Sequence, residues 1–144
     1  MLGNNVQTLL NHRRKEGLNL KTILTDIVIR KAKRQDIPSI VKLLAQDSLG
    51  TQRESYQEPL PPQYYDAFDV IDQDHANHLI VVVHKNTVIG TLQLTIITYL
   101  TYQGGKRAQI EGVRIDSAYQ GLGVGSLMIN WAINKAQEDG CHLV

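Results

Sequence analysis

The chain has 144 residues and a mass of 16.2 kDa, a length that favours one domain able to bury roughly 68–70% of its unfolded surface. Its 42% hydrophobic and 20% charged residues exclude wholesale disorder, and its single cysteine, Cys141, excludes a disulfide framework or a Cys-rich zinc site. The net charge of +1 gives no global case for nucleic acid, and the longest apolar run, Leu79–Val83, is far too short to span a membrane. No apolar leader lies in Met1–Leu10. The expectation is a cytoplasmic protein in a reducing compartment, with no nucleic-acid or membrane partner.

Charge is spread unevenly: Met1–Gln35 carries a net +6 and Thr51–Asn77 a net −5. Two readings stand, either surface patches that attract each other or water, or an acidic wall beside a cationic substrate. In chain order, residues 1–26 are polar around Leu9, Leu10, Leu18, Leu20, Ile23 and Leu24, an N-terminal extension of short helices or a flexible arm. Ile27–Arg30 is β-branched and predicts a strand. Asp36 stands where a helix N-cap belongs, Pro38 lies in the first turn, and Gly50 closes the unit. Within 51–77, Pro61 and Pro62 start a helix with Tyr65, Phe68 and Ile71 on one face. Leu79–Val83, a turn at Lys85-Asn86 and Val88–Ile97 read as a hairpin, and a further strand runs from about Arg107 to Ile115.

That last strand changes phase. Ala108 and Ile110 are apolar at even positions, Val113 and Ile115 at odd ones, and a regular strand cannot place both pairs in one core. One extra residue at Glu111-Gly112, a β-bulge with the glycine taking the unusual dihedrals, restores them to one face. Directly afterwards comes Asp116-Ser117-Ala118-Tyr119-Gln120-Gly121-Leu122-Gly123-Val124-Gly125-Ser126. A helix follows, with Val124, Leu127, Met128, Trp131, Ala132 and Ala136 on its apolar stripe and Asp139-Gly140 at its end. Glycines let a backbone approach a phosphate, and a helix N-terminus offers unpaired N–H donors. A nucleotide P-loop needs a lysine this loop lacks. A dinucleotide site needs a third glycine where Ser126 stands, and more strands after it.

The spacing Gln120-x-x-Gly123-x-Gly125 resembles the acyl-CoA pyrophosphate signature of the GNAT superfamily of N-acyltransferases. Ile29-Arg30-Lys31-Ala32 with Asp36 and Ile40 is similar to that family's opening strand and helix. The hairpin with Val88-Ile89-Gly90 resembles its second and third strands, and Ile110–Ile115 its fourth, where a bulge opens the sheet to admit pantetheine. The resemblance covers about residues 27–144, a partial N-acetyltransferase domain. It implies an α/β fold with a mixed, mostly antiparallel splayed sheet flanked by helices and lacking the usual final helix and strands. Those elements often supply a tyrosine that protonates the leaving thiolate. Their absence predicts either a C-terminally short chain or a homodimer in which a second copy pairs with the strand near Cys141–Val144, since a bare edge is a liability.

The implied function is transfer of an acetyl group from acetyl-CoA, as acyl donor, to a primary amine on a small molecule or protein. The alternative is a non-catalytic acyl-CoA-binding or regulatory module of the same fold. A protonated amine has no lone pair to attack with, so a base must take its proton. Glu111, which the bulge re-aims toward the cleft, is the candidate, against a plain solvated strand carboxylate. Backbone groups of Val113 and Ile115 resemble those that pair with pantetheine, while Arg114 points oppositely to solvent or phosphate. Gln120, Gly121, Leu122, Gly123, Val124, Gly125 and Ser126 form the pyrophosphate cradle, or else only a tight strand–helix turn. Met128, Trp131 and Cys141 read as core, Tyr119 as a possible stand-in acid, and Tyr56, Tyr64, Tyr65 and Phe68 as either pocket lining or packing. His12, His75, His78, His84 and His142 show no metal-ligand spacing, so no metal is expected.

Overall fold

The computed structural model describes residues 25–144, so the extension expected over 1–26 lies almost wholly outside the described residues. The chain runs β1 (Ile27–Lys31), a 3-10 turn (Arg34–Asp36), α1 (Ile37–Leu44), α2 (Ser48–Arg53), α3 (Pro62–Gln73), β2 (Asn77–His84), β3 (Thr87–Thr98), β4 (Lys106–Ile115), a second 3-10 turn (Ser117–Tyr119) and α4 (Val124–Glu138). The four strands form one sheet in the order β1-β2-β3-β4, every pair antiparallel. The expected α/β architecture, an open sheet flanked by helices, is therefore present.

Two apolar clusters sandwich the sheet. Ile80, Val82, Leu92 and Leu94 pack against Val124, Met128, Ala132 and Ala136 of α4. On the other face Val81 meets Ile37, Ile40 and Val41 of α1 and Phe68 of α3. β2 is thus covered on both faces, which is why its sequence is a continuous apolar run rather than an alternation. Lys85 and Asn86 join it to β3 with φ of 47° and 64°, the paired positive values that a two-residue hairpin turn requires. After α4, capped by Asp139 and by Gly140 at φ 81°, the backbone reaches the outer edge of β4. There Leu143 bridges Arg107 in parallel sense, with Ala108 N–H donating to the Leu143 carbonyl at 2.8 Å.

Gly50 and Trp131 depart from the sequence reading, the role of Asp36 is refined, and β3 adds an irregularity of its own. Asp36 is the N-cap residue of α1, as expected, but its side chain makes no bond to that helix; its carboxylate accepts from the Lys33 N–H (2.7 Å) and takes Arg30 in a two-pronged bond (2.7 and 3.0 Å), closing the 3-10 turn instead. Gly50 closes nothing. It lies buried inside α2, where an added Cβ would sit 1.8 Å from the Leu44 carbonyl oxygen, so the glycine permits a close approach. Trp131 is half-buried at the margin of the core that Met128 fills. β3 also carries a phase slip: Val82 faces Gly90 and Val83 faces Val88, leaving Ile89 as an extra residue. That bulge puts Ile89 on the same face as Leu92 and Leu94.

Asp36 is 5% exposed. Burial alone would raise its pKa, but the bonds from Arg30 and Lys33 outweigh it and hold the carboxyl below its ordinary value. A depressed folded pKa gives stability that is present above the unfolded value of about 3.9 and lost as pH falls through the folded one. Asp36→Asn should therefore cost about 2 kcal/mol near neutral pH and flatten the decline in stability in acid. Urea denaturation across an acid-to-neutral pH series measures both effects.

Candidate active site

Between the pairs Thr91↔Arg114 and Gln93↔Glu111, β3 has one residue and β4 has two. The surplus is the bulge at Gly112, whose φ is +60°. An added Cβ there would meet only Leu44 Cδ2, at 3.8 Å, so the backbone angle and not the available space makes the position a glycine. Beyond the slip Val113 and Ile115 join Ala108 and Ile110 against the α4 cluster, the shared face expected from the phase change.

The bulge also sets the polar groups of the strand end. Asp116 N–H bonds to the Ile89 carbonyl (2.7 Å), so by strand alternation the N–H and C=O groups of Val113 and Ile115 point to the outer edge of β4. Among the described residues the two carbonyls accept side chains of this segment: Arg114 Nη1 on Val113 (2.8 Å) and Gln120 Nε2 on Ile115 (3.3 Å). Arg114 is half-buried rather than solvated, and its Nη2 lies 3.1 Å from Asp47 Oδ2 at the start of α2. Asp47 also caps α2 through the Gly50 N–H. Leu43, Asp47, Val113, Arg114, Ser117 and Gln120 line a cavity of about 450 Å³ between α1 and the end of β4. Glu111 is exposed on the strand, where Gln109 Nε2 donates to its Oε1 at 2.7 Å.

The glycine loop is built from Asp116 onward. Its side chain accepts from the Ala118 N–H (2.9 Å), and the 3-10 turn brings the chain round to Gln120. Gly121 and Gly123 have φ of 75° and 84°, angles that a side chain resists, and Leu122 between them is buried at 6% exposure and anchors the turn. Gly125 lets α4 approach β4, since a Cβ would lie 3.1 Å from Ile115 Cδ1. Gly123 caps α4 without a side-chain bond, so the first-turn N–H groups of Val124, Gly125 and Ser126 have no intrahelical partner. The loop thus offers several donors at the positive end of a 15-residue helix.

Other candidates are placed elsewhere. The Tyr119 hydroxyl is bonded to His84 Nδ1 at 2.9 Å, a contact across 35 residues that no local pattern in the sequence signals. Burial and the nearby Asp139 carboxylate push the Cys141 thiol above its ordinary pKa, which disfavours a thiolate nucleophile. Tyr64, Tyr65 and Phe68 pack into the α1–α3 cluster, while Tyr56 is exposed. Part of the acidic segment is paired with the basic one, Lys31 with Asp72 (2.9 Å) and Arg34 with Asp69 (2.6 Å), as the mutual-attraction reading expects. Among the described residues no three His, Cys, Asp or Glu side chains converge as metal ligands.

A strand that slips by one residue, a left-handed glycine turn and an uncapped helix start are the parts of an acyl-CoA-binding acyltransferase. Residues 43–144 match the family model for the acetyltransferase (GNAT) family, and the chain belongs to that family. Membership implies acyl transfer from an acyl-CoA. The structure is similar to that of a transcriptional regulator from Bacillus halodurans C-125, with 49% identity, TM-score 0.79, and 81% of this chain and 78% of that one covered. It shares its fold with glucosamine-6-phosphate N-acetyltransferase from Arabidopsis thaliana (20% identity, TM-score 0.69, 82% and 79% covered). The same holds for a predicted acetyltransferase with acetyl-CoA from Clostridium acetobutylicum (19%, TM-score 0.63, 82% and 80%). No curated protein matches the chain.

Gly112→Ala tests the bulge. With open space around the Cβ, the expected loss is the left-handed strain alone, about 1–2 kcal/mol by chemical denaturation. A neutral result would mean that the strand end relaxes out of the bulge.

Proposed function

We propose that the protein is an N-acetyltransferase that moves an acetyl group from acetyl-CoA to a primary amine on a small molecule or protein. The observation that carries this reading is the bulge at Gly112 followed directly by the glycine turn and the free N–H groups of α4. The residues fit the donor: Gly121 and Gly123 leave the turn's surface without side chains, and Gln120 through Ser126 supply N–H groups suited to a pyrophosphate. Val113 and Ile115 offer backbone donors and acceptors along the strand edge to a chain carrying amides, and Arg114 lies at that edge beside Asp47. When bound, acetyl-CoA supplies an activated thioester.

Glu111 takes the proton that leaves the amine nitrogen, directly or through a water. The nitrogen's lone pair then attacks the thioester carbon to form the new amide bond, the carbon–sulfur bond breaks, and CoA leaves as a thiolate that takes up the second nitrogen proton, directly or through water. Among the described residues no helix is long and apolar enough to cross a membrane; this, with the single unpaired cysteine, supports a cytoplasmic enzyme. Leu143 pairs with β4 on one side, and its opposite edge is where a second copy would add to form a homodimer.

Release of free thiol from acetyl-CoA in the presence of a panel of amines tests the activity. Turnover with at least one amine is expected, and CoA binding without turnover on the whole panel would instead indicate a binding module. Glu111→Gln should lower the rate about 10²–10⁴-fold where the amine is protonated. The gap should narrow as pH approaches the amine's own pKa, about 10.4 for a lysine-like group. A pH–rate profile identical to that of the unaltered protein would remove Glu111 from the mechanism.

A further inference from the structure

Apart from the buried Leu122, the glycine turn has little of its own to hold it. Two of its residues are left-handed glycines, its helix lacks a capping side chain, and Gln120 makes only a 3.3 Å bond back to Ile115. One side chain ties its entrance to a distant element. Tyr119, immediately before Gln120, joins His84 at the far end of β2, with 2.9 Å between the hydroxyl and Nδ1 and the rings edge to face at 5.5 Å.

His84 is an unusual residue for that place. It is 2% exposed, held between Ile27 of β1 and Thr87 of β3, and its other ring nitrogen, Nε2, is buried with no partner among the described residues. Burying an imidazole is costly unless its polar atoms are satisfied, and an aliphatic side chain would fill the space without that penalty. The Tyr119 hydroxyl is the compensation the structure offers.

From this the geometry points to His84 and Tyr119 as positioning residues for the acyl donor: their hydrogen bond fixes the entrance of the glycine turn and so the aim of the N–H groups that follow. Neither side chain needs to touch the donor. The inference rests on the acyl-CoA reading of that turn. It concerns donor affinity, not the chemical step.

The test is calorimetric titration of the full chain with CoA, together with hydrogen exchange at the amides of 120–126. Tyr119→Phe, which keeps the ring and removes the hydroxyl, should weaken CoA binding roughly tenfold and speed exchange in that segment, as expected for losing a buried hydrogen bond. His84→Leu should do the same. His84→Asn, whose amide can occupy the place of Nδ1, should recover most of the affinity. If His84→Leu fails to fold, Tyr119→Phe decides alone. CoA binding in Tyr119→Phe equal to that of the unaltered protein overturns the positioning role and leaves the acyl-CoA reading intact. Weakened binding with unchanged exchange at 120–126 also overturns it, because the loss then arises elsewhere. An unaltered protein that binds no CoA overturns the acyl-CoA reading itself, and the positioning role with it.

Discussion

Gly112 holds φ at +60°, and the placement of everything from Val113 to the start of α4 follows from that one angle. Without the extra residue, Val113 and Ile115 would leave the core face and turn their side chains toward α1, since a slip of one reverses a strand. With it, four apolar residues of β4 share the α4 cluster, and the same twist sends Arg114 to Asp47 on the opposite face. The bulge therefore serves packing and site geometry together. Its backbone strain is relieved by the glycine, and its benefit is a buried apolar face over the whole strand.

A second slip lies on the neighbouring strand at nearly the same level. Ile89 is the surplus residue there, and Gly90, which faces Ile115, is pressed by α4: a Cβ would lie 3.1 Å from Met128 Sδ and 3.3 Å from the Arg114 carbonyl oxygen. Gly90 on the sheet and Gly125 on the helix are complementary omissions, each removing a side chain where α4 crosses the strand ends. The buried stripe Val124, Met128, Ala132 and Ala136 carries the same logic along the helix, small or slender residues at every fourth position. Close docking brings the helix start up to the end of β4, where Gly125 lies against Ile115.

The sequence made the β4 bulge readable because its apolar residues change parity around a glycine, a signal internal to ten residues. The β3 bulge carries the same kind of signal, Ile89 odd against Leu92 and Leu94 even with Gly90 between, yet the run is apolar enough to pass for a continuous buried strand. Asp36 stands at the N-cap position of α1 but directs its side chain elsewhere, and Gly50 suits a helix stop yet lies inside α2. Their actual partners, Arg30 and the Leu44 carbonyl, depend on how the chain folds back on itself. The His84–Tyr119 and Arg114–Asp47 pairs join segments 35 and 67 residues apart, and nothing in local spacing encodes them. Short-range backbone demands were legible, and long-range side-chain partnerships were not.

Electrostatics divides along the same line. Lys31–Asp72 and Arg34–Asp69 link the basic and acidic stretches, but all four side chains are between 44% and 63% exposed, and such pairs contribute little to stability. The Asp36–Arg30 pair, with its carboxylate 6% exposed, fixes the turn between β1 and α1. The cavity between α1 and β4 is different again, because Asp47 is already paired with Arg114. The carboxylate in this wall is neutralised, and attraction of any cation to it would require the pair to open. The wall is therefore set by the shape of Leu43 and Val113 and by the polar side chains of Ser117 and Gln120, with bare charge entering only as far as Arg114 is drawn away from Asp47.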